Sequence, residues 1–146
     1  MRLPTFLLGT LLATACALAH AQANPALVGR WTMVDSSLHL SDGRVVPQQR
    51  IKCESEFSPT QLISACQLTN DITSRVVFSY KWLKGDTYEL EILEHPTVQS
   101  SVGSRYKAEY HVAGAKLVSI AYPPPRPVGP AIDWVESVLV REGMGD

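Results

Sequence analysis

Five aromatic side chains fall at alternate positions of strand-like stretches in the second half of the chain: Tyr80, Trp82, Tyr88, Tyr106 and Tyr110. Indole and phenol rings supply apolar contact area, and each carries one polar atom that can orient a bound molecule. We therefore predict that these five residues line a pocket for a small apolar or aromatic molecule. Rings that only fill a core would show the same pattern, and this alternative stays open.

Cys53 and Cys66 flank a turn at Ser58-Pro59-Thr60, and their spacing predicts a disulfide across a hairpin. Folding the chain about the bond between Pro59 and Thr60 places Phe57 opposite Leu62 and Cys53 opposite Cys66. The apolar faces and the cysteines thus agree on one register. Residues opposite each other at a non-hydrogen-bonded position of an antiparallel pair lie within disulfide reach.

The sequence shows no pattern of side chains typical of metal binding or catalysis. The histidines His39, His95 and His111 lack the close spacing of metal ligands. Glu89 and Glu91 alternate onto an outward face, which is typical of solubilising charges, and no Gly-x-Ser-x-Gly turn occurs. We predict that the protein is not an enzyme and holds no metal or cofactor.

Alternation of apolar and polar residues predicts the elements that position these side chains. Eight strand-like segments follow one another, at about 27–38, 50–57, 62–68, 75–84, 87–94, 104–112, 116–122 and 131–142. No segment shows sustained helical periodicity. Eight antiparallel strands joined by local hairpins favour an all-β fold, an eight-stranded antiparallel up-and-down β-barrel.

Keeping apolar faces together predicts the registers of two further hairpins. A three-residue loop after the fourth segment opposes Trp82 and Tyr88. A three-residue turn after the sixth opposes Tyr110 and Val118, and this register also places Tyr122 on the inner face.

Gly29 and Trp31 open the first segment within Leu27-Val-Gly-Arg-Trp31. A glycine allows another group to approach the backbone closely, and an indole is a large apolar plug with one polar edge. We predict that Trp31 closes one end of the barrel.

Residues 1–22 read as a signal peptide, with Arg2, an apolar stretch over 6–18 and small residues at the cleavage site. Lipid attachment at Cys16 is an alternative. Residues 23–146 have the length of one domain. The short leader is typical of bacteria and predicts a periplasmic or secreted protein, a compartment that favours disulfides.

The charge balance gives no reason to expect nucleic acid or an anionic membrane as a partner. The chain has 13 Lys and Arg residues against 14 Asp and Glu residues, and of these only Arg2 lies in the leader. We also predict no membrane span after the leader, because no later apolar stretch is long enough.

Gly29-x-Trp31, the eight predicted strands, the export signal and Arg141 in Leu139-Val-Arg-Glu142 together resemble the lipocalin-like (calycin) family of small β-barrels. The chain is similar to a divergent bacterial member. The resemblance implies that Trp31 closes the barrel base, that Arg141 packs over it, and that the barrel holds a small ligand.

Binding of a protein partner is an alternative to binding of a small ligand. Gly103-Ser-Arg-Tyr106 resembles the insertion motif of small periplasmic lysozyme inhibitors, which are also disulfide-bearing β-barrels. This implies an inhibitor or immunity protein that binds an exported hydrolase. The binding residues would then lie in the rim loops His95–Gly103 and Pro123–Pro130 instead of in the barrel.

Overall fold

The strands close into one antiparallel barrel. The computed structural model describes residues 24–48, 52–67, 72–125 and 128–143. The strands are β1 (Gly29–Leu40), β2 (Val45–Pro47), β3 (Lys52–Phe57), β4 (Gln61–Gln67), β5 (Thr73–Lys84), β6 (Thr87–Glu94), β7 (Arg105–Ala113), β8 (Lys116–Tyr122) and β9 (Ile132–Arg141). β1 pairs with both β3 and β9, so eight strands form the closed barrel, and the short β2 pairs with the second half of β1. The predicted eight-stranded up-and-down barrel is confirmed.

Two of the three predicted hairpin registers are correct. Between β3 and β4, Cys53 pairs with Cys66 and Phe57 pairs with Leu62. Between β5 and β6, Trp82 pairs with Tyr88. In both hairpins the turn residues and the apolar faces specify the same alignment, because a one-residue slip would turn the apolar set outward.

The predicted register of the β7–β8 hairpin is wrong by one residue. Tyr110 pairs with Ser119 and not with Val118, because the turn at Gly114–Ala115 has two residues instead of three. Tyr122 consequently lies on the outer face and is 39% exposed. The prediction failed because Val118 is more apolar than Ser119, so placing the apolar residue inside favoured the wrong alignment.

β1 contains a bulge, after which the residues that would have pointed outward point into the barrel, and the reverse. Its pairing with β9 shifts between Met33 and Asp35, and Val34 is 59% exposed. An extra residue in one strand reverses the inward and outward positions that follow it. Ser36 is therefore turned into the barrel and buried, although strict alternation from Trp31 would place it outside.

The end of the barrel near Trp31, here called the base, is closed by the chain that precedes β1. A 3₁₀-helix, Pro25–Leu27, lies across it, and both Leu27 and Trp31 are fully buried. The Trp31 indole Nε1–H donates to the Leu27 carbonyl oxygen at 2.8 Å. The backbone N–H of Asn24 donates to the Tyr88 hydroxyl at 3.0 Å, which joins this segment to β6.

Arg141 completes the base. The guanidinium carbon of Arg141 lies 4.2 Å from the centre of the Trp31 ring, a cation–π contact. Nη1 donates to the Val28 carbonyl oxygen at 2.9 Å, and Nη2 donates to the Ala26 carbonyl oxygen. The structure thus brings Gly29, Trp31 and Arg141 together, in the arrangement that the family resemblance implies.

Replacing Gly29 with alanine should lower the free energy of unfolding by about 1–3 kcal/mol. Gly29 has a φ of +133°, and a Cβ atom there would lie 2.7 Å from Nη1 of Arg141. Gly43→Ala is the matched control, because Gly43 also has a positive φ, +84°, but open space around its Cα. Urea unfolding should show the larger loss for Gly29→Ala. Equal losses would mean that the close approach of Arg141 to Gly29 adds nothing to the cost of the substitution.

The predicted signal peptide, residues 1–22, lies outside the described residues. Within the part of the chain that the structure describes, no helix is long and apolar enough to cross a membrane.

Candidate ligand-binding site

The half of the barrel away from the base, towards the end here called the mouth, is not filled by side chains. A partly enclosed cavity of about 350 Å³ lies there. Its apolar lining includes Phe57, Leu62, Leu90, Leu117 and Leu139. Hydroxyl groups also line it, from Ser36, Ser55, Ser64, Ser74, Tyr106, Tyr110, Ser119 and Ser137.

Four aromatic rings pack edge to face between the cavity and the base. The centre of the Phe57 ring lies 5.1 Å from that of Tyr110 and 5.8 Å from that of Tyr80. The Tyr88 ring lies 5.7 Å from Tyr80 and 5.4 Å from Tyr110. Such tilted pairs are favourable beyond the area that they bury. They form the floor of the cavity, and Phe57 and Tyr110 border the cavity directly.

The structure divides the five predicted ligand-binding residues into two groups. Tyr106 and Tyr110 line the cavity, whereas Tyr80, Trp82 and Tyr88 do not border it. The Tyr80 hydroxyl donates to the Ser58 carbonyl oxygen, and the Tyr88 hydroxyl accepts from the backbone near the 3₁₀-helix. The Trp82 indole N–H donates to the Gly85 carbonyl oxygen at 2.9 Å. These three side chains therefore complete the core at the base.

The difference has a simple geometric cause. Alternation along a strand shows which face a residue occupies but not its height along the barrel axis. Tyr80, Trp82 and Tyr88 surround the β5–β6 turn at the base, while Tyr106 is the second residue of β7 at the mouth. Aromatic residues of one face were thus predicted as a single pocket although they lie at different depths.

Burial favours the protonated form of three tyrosines inside the barrel, Tyr80, Tyr106 and Tyr110. It raises the pKa of Tyr80 to about 12, and it raises the pKa values of Tyr106 and Tyr110 above the ordinary value of 10. For Tyr110 the neighbouring tyrosines Tyr106, Tyr80 and Tyr88 add to the effect of burial. At neutral pH these hydroxyls remain neutral hydrogen-bond donors and acceptors.

These shifts predict that the fold loses stability in alkali. The unfolded chain releases its tyrosine protons near pH 10, while the folded chain retains them, so stability present below pH 10 is lost as the pH rises through about 12. The largest slope from one tyrosine is about 1.4 kcal/mol per pH unit. Urea unfolding at pH 8 and pH 11 measures it. Tyr110→Phe should reduce the pH dependence clearly, and the surface variant Tyr122→Phe should reduce it least; the reverse order would contradict the assignment.

A row of residues that carry hydroxyl groups crosses four neighbouring strands on the inner face; this is called the hydroxyl row. Ser36 pairs with Ser137, Ser137 with Ser119, and Ser119 with Tyr110. The Ser36 hydroxyl lies 3.0 Å from the Ser137 hydroxyl and donates to Gln48 Oε1 at 3.0 Å. The sequence pattern did not predict this row. The β1 bulge and the β7–β8 register align its residues on the inner face, and neither was predicted.

Smaller polar groups and the disulfide form the opposite wall. Ser55 pairs with Ser64, a pairing that the predicted hairpin register already contains. Cys53 and Cys66 are bonded, their Cα atoms are 4.0 Å apart, and both border the cavity. The predicted disulfide is present, and it fixes the β3–β4 wall of the site.

Ionisable side chains gather on the outer surface instead. His111 lies between Asp86, 3.1 Å from its Nδ1, and Glu109, 3.3 Å from its Nε2. Because the two carboxylates lie against different ring nitrogens, they do not converge on one point. Among the described residues there is no group of three or more His, Cys, Asp or Glu side chains that could hold a metal ion.

Two side chains of the segment that resembles an inhibitor motif, Arg105 and Tyr106, make contacts within the barrel wall and its cavity. Tyr106 lines the barrel cavity, and its ring packs edge-on against Phe78 at 6.1 Å. Arg105 points outward, but its Nη2 lies 2.8 Å from Glu91 Oε2 on the neighbouring strand. The two side chains of the motif therefore face opposite sides of the wall.

Comparisons with known proteins support the fold. A lipocalin-like protein from Bacteroides uniformis ATCC 8492 superposes with a TM-score of 0.51 at 12% sequence identity, over 80% of this chain and 98% of that chain. An uncharacterized protein from Bacteroides eggerthii DSM 20697 superposes with a TM-score of 0.49 at 11% identity, over 79% and 98%. No protein-family profile and no curated protein matches the sequence. The first likeness identifies the fold as a lipocalin-like β-barrel.

Proposed function

We propose that the protein is an exported binding protein that holds one small, mainly apolar molecule in the mouth half of the barrel. The observation that carries this proposal is the cavity of about 350 Å³ above the aromatic floor. Small-molecule pockets typically enclose about 300–1,000 Å³. An apolar cavity of about 150 Å³ accommodates one benzene ring, so this space suits a molecule of one or two rings.

The walls have the chemistry of a specific pocket. Phe57, Leu117 and Leu139 offer apolar contact at the floor, and Tyr106 and Tyr110 add ring faces with hydroxyl tips. Pockets of this kind derive affinity from apolar burial and orientation from a few polar groups. The disulfide at the wall supports export, because disulfides persist in oxidising compartments.

Apolar side chains at the mouth favour a second candidate function, binding of a protein partner by the rim. Val98 and Val102, in the loop between β6 and β7, are 44% and 42% exposed, and Val128, between β8 and β9, is 82% exposed. Exposed apolar residues that gather at one end can mark an interaction surface. This function would depend on the loops and not on the cavity.

Filling the cavity separates the two functions. Ala121 lines the cavity, whereas Ala113 is exposed at the base end of β7. Calorimetric titration with 2-naphthol, a neutral two-ring probe, should show saturable binding to the wild type and to Ala113→Phe. Binding to Ala121→Phe should be at least about tenfold weaker, because the added ring occupies the space. Equal affinities in all three proteins would place the site outside the barrel.

A further inference from the structure

We propose that the molecule bound in this cavity is uncharged and carries a hydroxyl or carbonyl oxygen that is held by Ser119 and Tyr110. This inference rests on the proposed function and adds the chemical class of the ligand.

The lining carries no charge that could pair with an ion. Among the described residues that border the cavity, none is Asp, Glu, Lys, Arg or His. A carboxylate or ammonium group entering an apolar site loses its hydration, and without a partner of opposite charge that loss is large. The described walls thus favour a neutral molecule.

Part of the hydroxyl row is free to bind a ligand. Ser36 and Ser137 are hydrogen-bonded to each other, and Ser36 also to Gln48. Ser119 and Tyr110 are neighbours in register on β8 and β7, with their Cα atoms about 5 Å apart, and both residues line the cavity. Within the described residues neither hydroxyl forms a hydrogen bond with a protein group, and no fully enclosed polar atom there lacks a partner, so both hydroxyls are open to the cavity.

A ligand oxygen would satisfy both groups. Hydroxyls donate one hydrogen bond and accept others, so Ser119 and Tyr110 can serve a carbonyl or a hydroxyl equally well. A hydrocarbon at this place would leave them without partners in a dry environment, which is unfavourable. The Phe57 ring packs against Tyr110 at the floor, so the apolar part of the ligand would lie next to the polar contact.

Three probes of one shape test this at pH 7 by calorimetric titration: naphthalene, 2-naphthol and 2-naphthoate. They present no polar group, a neutral hydroxyl and a carboxylate, respectively. We expect 2-naphthol to bind about 3–10-fold more tightly than naphthalene, the gain of one neutral hydrogen bond. We expect 2-naphthoate to bind at least about tenfold more weakly than 2-naphthol.

Two variants locate the contact. Ser119→Ala and Tyr110→Phe should each weaken 2-naphthol binding about 2–10-fold and leave naphthalene binding unchanged or tighter, since they remove only a hydroxyl. Ser79→Ala is the control, because Ser79 lies outside the cavity lining and pairs with Glu91 on the outer face of β5 and β6. It should change neither affinity. Circular dichroism and urea unfolding verify that the variants are folded.

The contradicting outcomes are distinct. Binding of 2-naphthoate as tight as that of 2-naphthol overturns the inference, because the site would then accept an anion. Equal weakening of naphthalene and 2-naphthol by Ser119→Ala also overturns it, while cavity binding stands. If no probe binds, or if Ala121→Phe binds all three as the wild type does, the proposed function itself fails.

Discussion

Replacing Trp31 with alanine is expected to lower the free energy of unfolding by about 3–5 kcal/mol. The indole is fully buried at the base, and its N–H donates to the Leu27 carbonyl oxygen. Truncation would remove the largest fully buried side chain of the described residues and leave a void. It would also leave the Leu27 carbonyl oxygen without its partner and remove the ring from the Arg141 guanidinium, so base closure would weaken as a whole.

Trp134→Ala is the matched control for this experiment. Trp134 is the same residue type in β9, but it is only partly buried and stacks on His39, with ring centres 4.4 Å apart. Urea unfolding followed by circular dichroism should show a clearly smaller loss for Trp134→Ala. If Trp31→Ala unfolds at the same urea concentration as the wild type, Trp31 does not close the base.

Removing the disulfide is expected to cost about 3 kcal/mol. The bond joins Cys53 and Cys66 across a sequence separation of 13, and a loop of that size restricts the unfolded chain by about this amount. The double variant Cys53→Ser/Cys66→Ser avoids a free thiol. The urea midpoint should fall for this variant and fall equally when the wild type is reduced.

A reducing agent supplies the internal control, because it should leave the double variant unchanged. No shift of the wild type on reduction would show that the bond does not stabilise the fold. Since both cysteines border the cavity, the double variant also reports whether a fixed β3–β4 wall is needed for binding. If the fixed wall is needed, the folded double variant should bind 2-naphthol more weakly than the wild type does in the absence of urea.

Much of the fold was predictable because independent signals agreed. In the β3–β4 hairpin the proline turn, the apolar faces and the cysteines specify one register, and the structure has it. The β7–β8 hairpin offered only the apolar pattern and a turn of ambiguous length. There the preference for burying Val118 over Ser119 led to an error of one residue.

The site was less predictable than the fold, for two physical reasons. Alternation does not report depth, so Tyr80 and Tyr88 at the base could not be told apart from Tyr106 at the mouth. The β1 bulge beside Val34 reverses inward and outward positions, so nothing in the sequence pattern marks Ser36 as an inner residue. The hydroxyl row depends on the β1 bulge and on the two-residue turn between β7 and β8, and the sequence pattern predicted neither.

We propose that the small molecule binds inside the mouth half of the barrel. Intermolecular nuclear Overhauser effects from bound 2-naphthol test it most directly, because they report which protons lie within about 5 Å of the probe. We expect contacts with the Tyr110 ring and with the methyl groups of Leu117 and Leu139, which line the floor. Contacts with Val98 and Val102 of the rim in place of these would contradict it.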